Sequence, residues 1–199
     1  MATLGNLSSG TIADNNGSGT IGAVGPFLSA GGGIPSKATL EIWGWTVASS
    51  SQKIRLCIFN DDGSGLHPST TCVGVTDEVT LTDVANPGDH VYDFSNFTQQ
   101  AAPTLVGTTN YWIAIWWGTS TGTGFPEHLK GSSTSHSHYQ SGVTYSSSAK
   151  PVVPSWNDGG IGEIFGIFYF TYQPVGIDYP QHVRVYGGGN IMSVTSITG

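Results

Sequence analysis

The chain has 199 residues, 29 of them Gly, with 10% charged residues, 11% aromatics and a formal net charge of −7. That length suits one β-sandwich with long loops and buries a core without a disulfide or metal staple, and the aromatic content excludes intrinsic disorder. Thirteen acidic residues against six basic ones, with no basic run, argue against nucleic-acid binding, which needs a cationic patch to release counterions, and no apolar stretch reaches the roughly 18 residues of a membrane helix.

The first residues, Met1-Ala2-Thr3-Leu4-Gly5-Asn6, lack the basic and apolar regions of a secretory signal. They fit a protein made and used without secretion, as Met1 favours, or one whose signal has been removed. Asn16-Gly17 marks a turn and Ile21 to Leu28 reads as a strand. Gly31-Gly32-Gly33 connects it to a second strand, Ala38 to Val47, and a third runs from Lys53 to Asn60. Asp61-Asp62-Gly63-Ser64-Gly65 closes that strand as a hairpin turn with some likeness to a calcium loop, although it lacks the alternating acids and terminal Glu of an EF-hand. Thr71 to Leu81 holds one or two short strands, Pro87-Gly88 is a turn, and His90 to Phe97 is a further strand. Asn110 to Trp117 is strongly apolar, Gly118 to Ser148 is rich in Ser, Thr and Gly with a short strand near His136 to Tyr145, and Gly162 to Tyr172 closes the main body. After Pro174 come two short alternating runs, His182 to Tyr186 and Ile191 to Ile197, either a hairpin or an arm laid across a neighbour.

Turn signals every ten to fifteen residues, about eight strands and no segment of helical period predict an all-β, antiparallel sandwich of jelly-roll type. It occupies residues 1–174, with an extension over 175–199.

A strand with one wet face alternates apolar and polar residues. Three strands here do not: Trp43 and Trp45 oppose Leu40 and Ile42, Trp112 and Trp116 oppose Tyr111, Ile113, Ile115 and Trp117, and Phe165 and Tyr169 oppose Ile164, Phe168 and Phe170. Either loops such as Gly118 to Ser148 cover the second face, or it is a contact surface built from the ring types enriched at interface hot spots. Trp43, Trp45, Trp112, Trp116, Phe165 and Tyr169 are therefore candidate interface residues. Asp61 and Asp62, with Trp156 and Asp158, mix carboxylates and a flat ring as sugar sites do, yet Asn157-Asp158-Gly159-Gly160 is equally a turn sequence. His136 and His138, one residue apart and with His128 nearby, read as exposed loop histidines, with a transition-metal cluster of the three as the alternative, and strand acids such as Glu41 read as outward-facing. Cys57 and Cys72 match no metal or redox spacing and read as free thiols, with a bridge between successive strands as the alternative. No convincing catalytic constellation is present: there is no His-Glu-x-x-His and no phosphate loop, and the acids Glu41, Glu78, Glu127 and Glu163 are dispersed. The chain is expected to be no enzyme and to use no cofactor or metal.

The succession Ala38-Thr39-Leu40-Glu41-Ile42, Lys53-Ile54-Arg55-Leu56-Cys57-Ile58-Phe59-Asn60-Asp61-Asp62-Gly63, Asn110-Tyr111-Trp112-Ile113-Ala114-Ile115 and Phe165-Gly166-Ile167-Phe168-Tyr169 resembles the jelly-roll domains of tailed-bacteriophage virion proteins and of some carbohydrate-binding proteins. The resemblance covers residues 1 to 173 and leaves the tail unmatched. It implies a non-enzymatic capsid decoration (cement) protein, a homotrimer on the virion surface that bridges copies of the major capsid protein after assembly in the host cytoplasm. It carries over no catalytic or metal residue. A carbohydrate- or receptor-binding module, for example on a phage tail, is the alternative.

Overall fold

The computed structural model describes residues 1–8, 10, 12–15, 18–42, 44–45, 50–82, 90–94, 97–98, 100–122, 126–131, 136–161 and 164–174. Among them every regular element is a strand: β1 (Ala2–Asn6), β2 (Ile12–Asn15), β3 (Thr20–Leu28), β4 (Gly33–Ile42), β5 (Gly44–Trp45), β6 (Ser51–Asp61), β7 (Pro68–Val75), β8 (Val79–Thr82), β9 (His90–Phe94), β10 (Asn110–Thr121), β11 (Pro126–Gly131), β12 (His136–Ser141), β13 (Asn157–Ile161), β14 (Ile164–Phe165) and β15 (Phe168–Pro174). The extension 175–199 lies outside the described residues.

Two antiparallel sheets carry the fold. The smaller has the order β1-β15-β4-β9, and the larger β13-β12-β3-β10-β6-β7, with β8 pairing the first half of β6. A third, short sheet, β14-β11-β2 with β5 against β11, is built where strands of the first two run on past the sandwich. The main strands cross from sheet to sheet along the chain, from β1 to β3, β4, β6 and, after β7 and β8, to β9, β10 and β15. Such exchanges bury the inner face of both sheets against one core.

That core follows from alternation. Leu40 and Ile42 of β4, and Phe168, Phe170 and Tyr172 of β15, face Leu56 and Ile58 of β6 and Tyr111, Ile113, Ile115 and Trp117 of β10, all buried. The alternate residues of β15, Tyr169 and Thr171, are half-buried and Gln173 is exposed, so this strand has one wet side. The continuous two-faced strand expected over Gly162 to Tyr172 is instead β14 and β15, separated by a bend at Gly166 and Ile167. The bend engages Glu41, whose amide donates to Ile167 O at 2.8 Å and whose Oε2 accepts from Ile167 N at 3.3 Å. Glu41 is thus buried, not outward-facing, because its carboxylate and its own backbone bind the same turn of chain.

The larger sheet has a second core on its outer face. Ile21 and Ala23 of β3, Cys57 and Phe59 of β6, Cys72 and Val75 of β7, and Trp112, Ala114 and Trp116 of β10 are buried there beneath Val143 and Val153. The segment between β12 and β13 therefore lies across this face as a covering layer.

Candidate functional site

The covering segment, residues 142–156, is held to the sheet by hydrogen bonds as well as by packing. Arg55, fully buried, donates from Nε to Thr76 O at 2.7 Å and from Nη1 to Ser146 O at 3.0 Å and Ala149 O at 2.7 Å. Lys150 Nζ donates to Val73 O at 2.7 Å, Gln100 Nε2 to Ser148 O at 2.6 Å and Trp156 Nε1 to Ser69 O at 3.0 Å. The charge-assisted bonds from Arg55 to two carbonyls of this Ser-rich stretch, and from its Lys150 to Val73 O, help fix its path. The Tyr145 ring fits the space left by Gly118, where an added Cβ would stand 2.6 Å from it, and meets Trp116 at a centroid distance of 4.8 Å.

This cover settles where the candidate rings lie. Trp112 and Trp116 are fully buried in the second core, since the chain's own segment fills the face that their alternation left open. They are core rings, not a contact surface. Trp45, which pairs with Pro126, is partly buried against the first core. Tyr169 is half-buried on the outer side of the smaller sheet. Phe165 pairs with Lys130 in the short sheet, and its side chain lies outside the described residues, as does Trp43 altogether.

Asp61 and Asp62 shape a closed turn. Asp61 Oδ2 accepts from the amides of Gly63 and Gly65, both at 2.9 Å, and its Oδ1 accepts the Trp112 Nε1 proton at 2.8 Å. Gly63 and Gly65 have φ of +98° and +71°, the left-handed region open to glycine. The Asp62 carboxylate accepts from the Ser64 amide at 2.8 Å, and its bonds to Ser64 hold its pKa below the ordinary carboxylate value. Among the described residues no group of three His, Cys, Asp or Glu is placed to hold a metal ion.

His138 is buried rather than exposed, because the turn after β6 folds over it. Its Nε2 donates to Leu66 O at 2.9 Å, and its ring meets His67 at 4.8 Å and Trp112 at 5.2 Å. His136 is half-buried. Asn157 to Gly160, read as a turn, belongs to edge strand β13, which pairs with β12, and Asp158 is exposed there. Trp156 packs edge-on against Phe59 at 5.1 Å, so the ring and the carboxylates of Asp61, Asp62 and Asp158 do not form one sugar platform. Cys57 and Cys72 are buried free thiols, and burial, then the contact with Cys72, pushes the Cys57 pKa well up.

Two surface features remain. One is a cleft of about 460 Å³ in the covering segment, lined by Gln140, Ser141, Thr144, Ser146, Lys150 and Val152 among others. The other is a set of exposed aliphatic residues in the loops after β3 and before β10, at the start of β4, and in the turn after β6. There Leu28 is 63% exposed, Val106 62%, Ile34 51% and Leu66 48%. The loops are tied together: Ser29 Oγ donates to Val106 O at 2.6 Å, the Gly33 amide to Leu105 O at 2.9 Å, and Val106 N to the Tyr111 hydroxyl at 2.8 Å. Sequence reasoning missed Ile34, Leu66 and Val106 because each sits beside turn residues, and Leu28 because it closes a strand whose other residues are buried or half-buried.

No protein-family model matches the chain, and no curated protein matches it.

Proposed function

We propose that the chain is a non-catalytic β-sandwich of jelly-roll type that works by attaching to a protein surface, as a virion protein that decorates and stabilises a phage capsid by gripping the major capsid protein. The observation that carries this reading is the chemistry of the exposed apolar groups. Among the described residues the exposed large apolar side chains are aliphatic or Met, Leu28, Ile34, Leu66 and Val106 among them, with Tyr139 the one aromatic, while Trp112, Trp116 and Trp117 are turned wholly inward. Flat aromatic rings suit sugars. Exposed aliphatic groups suit another protein. Support for the jelly-roll assignment comes from the strand order, with β1-β15-β4-β9 facing β3-β10-β6-β7 and the chain crossing between them as two Greek keys do.

The sequence resemblance to virion jelly rolls narrows the partner to a capsid and the stoichiometry to a trimer. Sedimentation tests both. The full chain is expected to run at three times its 20.8 kDa mass and to pellet with undecorated capsids. A monomer that ignores capsids overturns the proposal. One observation favours glycan binding instead: the hydroxyl- and amide-lined cleft at Gln140, Ser141 and Thr144. Binding on a glycan array that Thr144→Trp abolishes would establish that reading in its place.

A further inference from the structure

We propose that Cys57 and Cys72 are a site of oxidative modification, a thiol pair that a peroxide converts into an intrachain disulfide clasping β7 to β6. They are the two cysteines of the chain. Cys57 of β6 stands opposite Val75, and Cys72 of β7 stands opposite Phe59, two residues further along β6. All four side chains belong to the outer core, so the cysteines are diagonal neighbours on one face. Their side chains are hydrogen-bonded to one another, and Cys72 Sγ donates on to Gly74 O at 3.2 Å. Diagonal neighbours on a ladder stand about 7–8 Å apart at Cα, at the limit of what a disulfide spans, so the bond forms by drawing β7 toward β6. β7 is placed to move. It ends the order of the larger sheet, and its ladder is irregular at this point, with a register shift between Ile58 and Phe59.

Exposure orders the chemistry. Cys72 is 7% exposed and Cys57 0%, so a small oxidant such as hydrogen peroxide meets Cys72 first. The Cys72 sulfur, as thiolate, attacks one peroxide oxygen and the O–O bond breaks. The departing hydroxide takes up the proton that the thiol released, leaving Cys72 as sulfenic acid beside one water. The Cys57 sulfur then attacks the Cys72 sulfur, the S–O bond breaks, and hydroxide leaves with the Cys57 proton as a second water. Two thiols lose two electrons and one peroxide gains them. Burial keeps Cys57 a neutral thiol until its partner is activated. The new bond closes a loop of about 15 residues around the turn at Asp61 and Asp62, which narrows the freedom of the unfolded chain.

Mass spectrometry of the full chain, treated with one equivalent of hydrogen peroxide, tests the pair. The expected product has lost two hydrogens, yields a peptide linking Cys57 to Cys72, shows no free thiol in denaturant and reverts with dithiothreitol. It is expected to melt about 5 °C or more above the reduced chain. Cys57→Ala is expected to stop at one oxygen gained on Cys72, and Cys72→Ala to leave Cys57 unmodified. Oxygen gained at either cysteine of the natural chain without the link overturns the proposal, as does a disulfide joining two chains or a pair of thiols that stays reduced while the chain is folded. A melting temperature lowered by the bond overturns the clasp, since it would mark strain in place of support. The measurements on the natural chain stand whether or not either variant folds.

Discussion

Trp116 and Arg55 show how far one residue's type underdetermines its role. Trp116 has the residue type of an interface anchor, yet it is fully buried between Tyr145 and the sheet. Trp116→Ala is therefore expected to cost about 3–5 kcal/mol of folding stability, as removal of a large core ring does, measurable as a shift of the urea midpoint. A loss of binding with unchanged midpoint would mark it as a surface anchor instead. Arg55 stands in the run Ile54-Arg55-Leu56-Cys57-Ile58-Phe59. A lone cation in an apolar strand is a signal of a buried role, and its guanidinium holds three carbonyls. Arg55→Met keeps the packing volume but strands those carbonyls, and its expected cost is about 3 kcal/mol, the upper range for bonds to a charged group. Hydrogen exchange should show amides 143–150 losing protection ahead of β6 and β10. Uniform loss across the whole molecule would refute the clamp.

At the scale of the element, the covering segment 142–156 gives the molecule an alkaline weakness. Burial, and next the charge of Glu78, raise the Tyr145 pKa from its ordinary 10.0, with Arg55 partly offsetting. Burial likewise raises Cys57 from 9.0. Both groups stay neutral in the folded chain at pH values where the unfolded chain releases their protons. Stability is thus at its full value below about pH 9 and falls as pH rises beyond it. Tyr145→Phe should flatten the upper part of that fall in urea titrations at stepped pH, and an unchanged slope would show that Tyr145 does not contribute.

The same element explains what was legible in the sequence. Alternation located β3, β6, β10 and the inner face of β15, because a strand's burial is written in its own period of two. What covers an apolar face is not written there. Of the cover's residues, Val143, Tyr145, Val153 and Trp156 pack on this core, and its path is also set by long-range bonds such as Lys150 to Val73. β11 and β13 escaped for a related reason: they are short strands with turn-like sequences that exist because neighbours offer backbone partners.

At the scale of the whole molecule, the fold turns most of its aromatic surface inward and leaves Leu28, Ile34 and Val106 exposed near Gly33, the partner of Pro174. The account's central claim is that these residues meet a protein. Co-sedimentation of the full chain with capsids assembled from the major capsid protein tests it most directly, with Val106→Asp beside the natural sequence. The account predicts that the natural chain pellets with capsids and that Val106→Asp, equally folded by the protection of β6 and β10, binds at least about tenfold more weakly, as loss of a central interface residue does. Equal pelleting of the two proteins, or no pelleting of either, would contradict it.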